Sequence, residues 1–295
     1  MKTTRRNLLG LGAIAPFITL AAAMQRAEAQ HYRFGETADE ALQMAHDAHI
    51  DLMSYPDLKM HGDEKIAMMC YEGMTALDLI GPQYFFSGMM DASLHLVTPD
   101  NTLKPVMTDT GLAIVPDTTF DQCPEDLDVL FVPGGASGTI SVMQDEAYID
   151  FIVDRGRRAK NLTSVCTGSL ILGQAGLLEG KRATSHWTTR HLLPEFGAIE
   201  VNSRVVTDGN LVTGAGVSAG IDFALTLVAQ LRGRPYAQAL QLQAEYAPEP
   251  PFEGGTVETT HPEIAEPMHE MFATLLFAAK EASKNRRGLS EETVD

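Results

Sequence analysis

The sequence predicts an α/β domain built on a mostly parallel central sheet. Apolar runs typical of buried strands alternate with amphipathic, helix-like segments between residues 65 and 231. Parallel strands need crossover helices, so this alternation favours a sheet covered on both faces. In the run NLTSVCTGSLILGQAG, residues 161–176, a strand-like segment passes into a helix-like one at a single cysteine, Cys166. That junction predicts where the functional site lies, because α/β sheets keep their sites at the carboxyl ends of strands.

The first 29 residues read as a targeting segment rather than as part of the fold. Arg5 and Arg6 form a twin-arginine pair, an apolar run covers Leu8–Met24, and the Ala-Glu-Ala triplet at 27–29 is a small-x-small cleavage signal. We therefore predict a twin-arginine (Tat) signal peptide, engagement of the Tat export machinery and a periplasmic location. An uncleaved anchor is the alternative reading.

Residues 30–62 are predicted to be an extension that precedes the domain. A helix-like pattern lies within 36–58, and Pro56 ends it. His46 and His49 share a helical face and resemble half of a metal site. A metal site usually needs three or four ligands, so a solvated or packing face is the favoured reading and no metal is predicted.

The α/β domain is predicted over residues 63–252. Its first strand is Lys65–Cys70, followed by a loop and an amphipathic helix within 71–89. Two carboxylates lie at this first turn, Glu72 and Asp78. Asp78 stands between leucines, where a casual surface charge is unusual. It is either a helix-capping residue or a buried proton donor that faces the site.

The second strand is predicted over Ser93–Pro99, and a β-rich excursion over Pro105–Phe120 follows. A further buried strand, Leu127–Val132, ends in a proline and two glycines, Gly134 and Gly135. Bare backbone N–H groups after a strand can point at a ligand. Together with the N–H that follows Cys166, they are expected to form an oxyanion-type hole.

The turn at Cys166 is the predicted catalytic centre, a nucleophile elbow with cysteine in the place where esterases have serine. A helix over Asp145–Arg158 leads into the strand Asn161–Val165, and a new helix starts after the cysteine. The N-terminal end of that helix is expected to favour a thiolate over a thiol. Thr167 is expected to offer a hydroxyl beside the sulfur, and Gly168 to let another backbone or a ligand approach. The alternative reading is a buried cysteine that only packs.

The rest of the domain continues the alternation and contributes one further candidate, His186 in the motif SHW, which is read on its own as a core histidine. The predicted elements are a helix near Thr188–Phe196, a hairpin over Val205–Gly214 and a helix over Ser218–Leu231. The proline-rich stretch Ala247–Phe252 closes the domain. In the tail, residues 253–295, a single helix is predicted over Ile264–Lys284, packed outside the domain or across a dimer.

Charge and cysteine content narrow the function. The formal net charge is −17, from 22 Lys and Arg against 39 Asp and Glu. Such a surface repels phosphate backbones, so no nucleic-acid partner is predicted, and a small-molecule substrate fits better. The three cysteines, Cys70, Cys123 and Cys166, do not make a disulfide framework.

Several motifs together resemble a known family. They are VPGG, SVCTGSLILGQAGLLEGKRATSHW, DGNLVTGAGVSAGIDFALTLVAQ and QLQAEYAPEPPF. They are similar to the ThiJ/PfpI superfamily, a branch of the class I glutamine-amidotransferase-like fold, over roughly residues 65–252. The resemblance implies a flavodoxin-like three-layer sandwich, a homodimer, and neither a metal nor an organic cofactor. It implies Cys166 as nucleophile, Asp78 as its carboxyl partner and Thr167 as part of the pocket.

Within that superfamily the motifs resemble the isonitrile (isocyanide) hydratases most closely. That resemblance implies hydration of isonitriles to N-substituted formamides, with substrate held near Gly134, Gly135 and Gly168. His186 matches a histidine near the nucleophile in other branches and is a secondary candidate. Two alternatives stay open: a glyoxalase- or protease-like enzyme that uses His186 as base, and a periplasmic small-molecule-binding module without turnover.

Overall fold

The computed structural model describes residues 35–99 and 102–287. The described residues belong to two units, divided between Ser54 and Tyr55. The predicted signal segment, residues 1–29, lies outside the described residues. In the first unit the structure describes one helix, α1 (Ala38–Met53), none of whose residues is buried. The Thr37 side chain accepts a hydrogen bond from the Glu40 N–H, and the Glu40 carboxylate reaches back to the Thr37 N–H, so a capping box starts this helix.

The second unit is built on a seven-stranded sheet. Its strands stand in the order β10-β11-β7-β6-β1-β2-β5, and every neighbouring pair is parallel except β10 and β11. The strands of this sheet are β1 (Lys65–Met69), β2 (Ser93–Thr98), β5 (Thr118–Thr119), β6 (Val129–Val132), β7 (Asn161–Val165), β10 (Val205–Asp208) and β11 (Leu211–Gly214). The predicted mostly parallel sheet is therefore confirmed.

Two small sheets lie outside the central one. They are formed by β3 (Val106–Met107) with β4 (Ala113–Ile114), and by β8 (Arg182–Ala183) with β9 (Ile199–Glu200). The first pair falls within the predicted β-rich excursion. The predicted hairpin is also present, because Gly209 adopts φ +63° between β10 and β11, the conformation its turn requires.

Helices pack in two groups against the sheet. One group is α2 (Ala76–Ser87), α6 (Ala219–Arg232) and α7 (Arg234–Gln243). The other comprises α3 (Ser137–Met143), α4 (Glu146–Arg158), α5 (Gly168–Gln174), a 3-10 helix (Arg190–Phe196) and α9 (Ala273–Ser283). Two of these helices, α3 and α7, were not predicted from the sequence. The flanked sheet confirms the predicted α/β sandwich.

The tail contains two helices rather than the single one predicted. They are α8 (Pro262–Glu270) and α9, and the chain turns between them at Met271 and Phe272. Pro267 lies inside α8, where it has no N–H to contribute to the helical ladder. The turn also places the Phe272 ring against the aromatic residues that follow the Cys166 helix, a contact that a continuous apolar pattern does not predict.

The core is continuous across the sheet. Three buried rings meet where β6, α2 and α6 pack: the Phe86 ring lies 6.4 Å from Phe131 and 6.3 Å from Phe223, centroid to centroid. The Phe131 and Phe223 rings are 5.5 Å apart. Across residues 35–99 and 102–287, no helix has the length and apolar character needed to cross a membrane.

A buried ion pair ties the end of α6 to the chain entering β1. The Arg232 side chain is fully buried, and its Nε lies 2.6 Å from Glu64 Oε1. Its remaining nitrogens donate to the carbonyl oxygens of Met60 and Met90, at 2.9 and 2.8 Å. Because both charges are paired and hydrogen-bonded, removing one of them leaves the other buried without a partner.

We predict that Arg232→Met lowers the free energy of unfolding by about 3 kcal/mol, because the partly buried Glu64 carboxylate then loses its counter-ion and the carbonyl oxygens of Met60 and Met90 lose their donors. Urea unfolding followed by circular dichroism measures the change. The control is Arg158→Met, which removes an arginine from a solvent-exposed cluster with Asp154 and Glu125 and should change stability far less. If the two variants lose the same free energy of unfolding, the ion pair of Arg232 contributes no more to stability than an exposed one.

Candidate active site

Cys166 occupies a sharp turn between β7 and α5. Its backbone adopts φ +59°, a left-handed conformation that is uncommon for a residue with a Cβ. The Cys166 N–H donates to the carbonyl oxygens of Gly214 and Ala215, at 3.1 and 2.8 Å. The hydroxyl of Ser185 donates to the Cys166 carbonyl at 3.0 Å. Hydrogen bonds on both sides of the residue hold the strained turn in place, as the sequence predicted for the strand-to-helix junction.

The Cys166 sulfur faces one carboxyl group and two backbone donors. The residue is only 5% exposed. Its side chain interacts with the Asp78 carboxyl, and the N–H groups of Thr167 and Val217 point at the sulfur. The sequence predicted the first of these N–H groups, but it gave no indication of Val217, which comes from the turn after β11.

Asp78 is fully buried at the start of α2. The Gly134 N–H donates to its Oδ2 at 3.0 Å. The other oxygen, Oδ1, is buried and accepts no hydrogen bond from a nitrogen or oxygen of the residues described. Burial raises the pKa of Asp78 to about 7, against the opposing effect of its hydrogen bonds with Cys166 and Gly134. Of the two readings of Asp78, the buried acid is the one the geometry supports.

Burial also raises the pKa of the Cys166 thiol well above its usual value, and the Asp78 carboxylate raises it further. The N–H groups of Val217 and Thr167 oppose this shift without outweighing it. The raised pKa runs against the expectation that the helix end favours a thiolate over a thiol, because burial of the sulfur disfavours its charged form.

Asp78 and Cys166 each shift the pKa of the other, so the protonation of one group depends on the protonation of the other. In such a pair the first proton leaves with an apparent pKa that belongs to both groups. After that first proton has left, one proton remains on the pair and is shared between the Cys166 sulfur and an Asp78 carboxyl oxygen. A site of this kind supplies a nucleophile and an acid at the same time.

The N–H groups of the two glycines after β6 are hydrogen-bonded within the protein. The Gly134 N–H binds Asp78, and the Gly135 N–H donates to Thr167 Oγ1 at 2.9 Å. Thr167 Oγ1 in turn donates to the Gly135 carbonyl at 2.8 Å and lies 2.7 Å from the Thr139 hydroxyl. Because both glycine N–H groups already have partners within the protein, these hydrogen bonds argue against the predicted oxyanion-type hole, and the Thr167 hydroxyl is paired with Gly135 and Thr139.

Gly168 is a packing residue. A Cβ at this position would lie 2.2 Å from the Val132 carbonyl oxygen, so only glycine lets α5 start this close to the end of β6. The group that approaches Gly168 closely, predicted to be a backbone or a ligand, is therefore the backbone at Val132.

His186 lies beside the site without joining the Cys166–Asp78 pair. Its Nδ1 is 2.7 Å from Thr188 Oγ1, and burial lowers its pKa to about 4, so the ring is neutral at neutral pH. A Cβ on Gly216 would meet the His186 ring at 2.6 Å, so the ring lies against the turn that carries Val217.

Sequence reasoning missed two buried hydroxyl residues at this sheet edge, Tyr71 and Thr139. The Tyr71 hydroxyl donates to the Pro133 carbonyl at 2.7 Å, and Thr139 supports Thr167 from α3. The position of Tyr71 directly after β1 was the available signal. Glu72, the other acid at this turn, is exposed and accepts a hydrogen bond from the Met107 N–H at 3.0 Å. Within the described ranges, no group of three or more His, Cys, Asp and Glu side chains is arranged to hold a metal ion.

The family follows from sequence comparison as well as from this geometry. Residues 64–230 match the model of the DJ-1/PfpI family, so the chain belongs to that family. The match covers the whole central sheet and the turn at Cys166.

Individual relatives agree with that placement. The chain is 52% identical to the isonitrile hydratase of Pseudomonas putida over 195 residues, which are 66% of this chain and 84% of the relative. A crystal structure of a ThiJ/PfpI family protein from Pseudomonas syringae superposes with a TM-score of 0.76 at 45% identity, covering 86% of this chain and 98% of the other. Protein DJ-1alpha of Drosophila melanogaster is 31% identical over 137 residues, 46% of this chain and 63% of that protein.

We predict that Gly134→Ala displaces the Asp78 carboxyl and destabilises the protein by about 1–3 kcal/mol. The added Cβ would lie 2.6 Å from the Thr167 nitrogen and 2.8 Å from Asp78 Oδ2, so something must shift. Thermal unfolding and the rate of Cys166 alkylation by iodoacetamide report the two effects.

The matched control is Gly81→Ala in α2, where a Cβ meets only ordinary contacts at 3.7 and 3.8 Å. Alanine in a helix interior is expected to be neutral or slightly stabilising. If Gly134→Ala behaves like this control in both assays, the tight packing around Asp78 is not as described.

Proposed function

We propose that this protein hydrates isonitriles, R–N≡C, to N-substituted formamides. The observation that carries the proposal is the buried pair of Cys166 and Asp78, which combines a sulfur nucleophile with a carboxyl group of pKa about 7. The similarity to an isonitrile hydratase supports the choice of substrate class.

The chemistry of an isonitrile matches such a pair. Its terminal carbon has to receive both a proton and a nucleophile. In the proposed first step Asp78 gives its proton to that carbon, and the Cys166 sulfur forms a bond to the same carbon. The product is a thioimidate, R–N=CH–S–Cys166, and Asp78 is left as a carboxylate.

Water completes the reaction in the second step. Its oxygen adds to the thioimidate carbon, while Asp78 takes a proton from the water and passes it to the nitrogen, which gives R–NH–CH(OH)–S–Cys166. The carbon–sulfur bond then breaks, the sulfur leaves as a thiolate, and the hydroxyl proton passes to Asp78, which gives R–NH–CHO. The pair again holds one proton, so the balance of the cycle is one isonitrile and one water for one formamide.

The surrounding backbone assists the charged species. The N–H groups of Thr167 and Val217 stabilise negative charge on the sulfur as it leaves. The Gly134 N–H stabilises the Asp78 carboxylate between the two proton transfers. These donors are fixed in place before the reaction, so no reorganisation is needed when charge develops.

We predict that Cys166→Ala abolishes formamide production and that Asp78→Asn lowers kcat/KM by about 10²–10⁴-fold, the usual range for a lost general acid. Conversion of cyclohexyl isocyanide to its formamide, followed by chromatography, measures both. His186→Ala should cost less than about tenfold, because that ring does not hold the proton in the proposed reaction. The reverse ranking, with His186 essential and Asp78 dispensable, would favour a histidine-base mechanism.

We predict that kcat/KM rises as the pH increases through about 7 and falls again in strongly alkaline solution. Below about pH 7 the pair binds two protons and the sulfur is a poor nucleophile, and above it one proton remains. Loss of that last proton removes the acid, which gives the alkaline limb. A profile that falls steadily from pH 5 upward would rule out this protonation state.

A further inference from the structure

Two cavities lie on either side of shared walls formed by Trp187 and the tail. The larger, of about 380 Å³, is lined by His186, Trp187, Ala215 and Val217, among others. The smaller, of about 210 Å³, is lined on its far side by Ala265 and Met268 of α8. Both cavities share Trp187 and the tail segment 255–257 as walls. One indole ring and one short stretch of tail therefore separate two adjacent spaces.

The larger cavity is lined by the turn whose backbone contacts Cys166. Val217 lines it, and the N–H of the same residue points at Cys166 Sγ. Ala215 lines it as well, and its carbonyl accepts the Cys166 N–H at 2.8 Å. The volume of this larger cavity is in the range that small ligands occupy.

Aromatic contacts hold the tail over these cavities. The Phe272 ring lies 5.6 Å from the His186 ring and 6.5 Å from the Trp187 ring, and His269 lies 6.0 Å from Trp187. Such pairs at these distances are mildly attractive beyond the area they bury. The tail is thus packed against the residues that follow the Cys166 helix.

The tail also has polar contacts at the larger cavity. Hydrogen bonds from its own backbone N–H and from the Thr256 side chain lower the pKa of Glu258, with a smaller electrostatic contribution from Arg190. Both Glu258 and Arg190 line this cavity, and Arg190 Nε lies 3.0 Å from Glu200.

The two cavities differ in polarity. The larger has the guanidinium groups of Arg190 and Arg204 among its lining residues. The smaller is bounded by Val257, Ala265 and Met268. An alkyl chain that reached past the indole would therefore enter apolar surroundings.

We propose that residues 255–272 close the substrate cavity of this active site, and that Trp187 limits how far the N-substituent of the isonitrile extends. The inference rests on the proposed hydration of isonitriles. It assigns the tail a role in binding substrate, and it makes the indole a wall that separates short substituents from the apolar space beyond.

The first test compares n-butyl and n-octyl isonitrile as substrates. Trp187→Ala joins the two cavities, so the ratio of kcat/KM for the octyl over the butyl compound should rise about tenfold, the factor expected when roughly two further methylenes leave water. Adding Ala265→Phe to Trp187→Ala refills the smaller cavity and should reverse most of the gain. An unchanged ratio in Trp187→Ala would overturn the proposal.

Val257→Phe provides a second variant in case Trp187→Ala does not fold, because Val257 is half exposed and lines both cavities. It should lower the octyl-to-butyl ratio by narrowing the larger cavity. The control is Phe277→Ala, an exposed aromatic position on α9 that lines neither cavity, and it should leave the ratio unchanged.

A second readout does not depend on turnover. Trp187 is the only tryptophan in the chain, so its emission reports this site alone. Phe272→Ala should shift that emission to longer wavelength and increase quenching by acrylamide, whereas Phe277→Ala should do neither. If the wild-type protein hydrates no isonitrile, the proposed function fails, and this readout still decides whether the tail covers the cavity. An unshifted Phe272→Ala spectrum would show that it does not.

Discussion

One proton between a buried sulfur and a buried carboxyl group is the constraint on which the site depends. Water is excluded from both Cys166 and Asp78, so either group alone is costly to ionise. Together they hold a single proton at lower cost, because the carboxyl and the sulfur stabilise each other through their hydrogen bond. The rest of the architecture can be understood as the means of bringing these two side chains together and keeping bulk water away.

The parallel sheet performs the positioning. The carboxyl ends of β1, β6, β7 and β11 meet at one edge, and each is followed by part of the site: Tyr71 and Asp78, the Gly134 turn, Cys166, and the turn with Val217. The hydrogen-bond donors to the pair are backbone N–H groups of Gly134, Thr167 and Val217, and the nearby charge that acts on Asp78 is the Asp109 carboxylate, which raises its pKa. A lysine or arginine here would pull the carboxyl into its ionised form and remove the acid that the proposed chemistry requires.

Sequence alone was sufficient for the sheet, the hairpin and the strand-to-helix turn at Cys166, because these depend on local patterns. Alternation of apolar runs predicted the strands, and the change of pattern after Val165 predicted the turn. The sequence was not sufficient where partners come from distant segments. The hydrogen bonds between Gly135 and Thr167, the contact of the Val217 N–H with the sulfur, and the effect of burial on the thiol pKa all depend on tertiary packing. The break at Phe272 had the same origin, since its ring packs against His186 and Trp187.

The most direct test of the central claim is to look for the covalent intermediate. The protein is mixed with excess isonitrile, quenched in acid within milliseconds, digested and analysed by mass spectrometry. Attack by the sulfur predicts that the peptide containing Cys166 gains the mass of one isonitrile, and that the adduct disappears as formamide accumulates. Rapid turnover with that peptide unmodified at every time point would contradict the account.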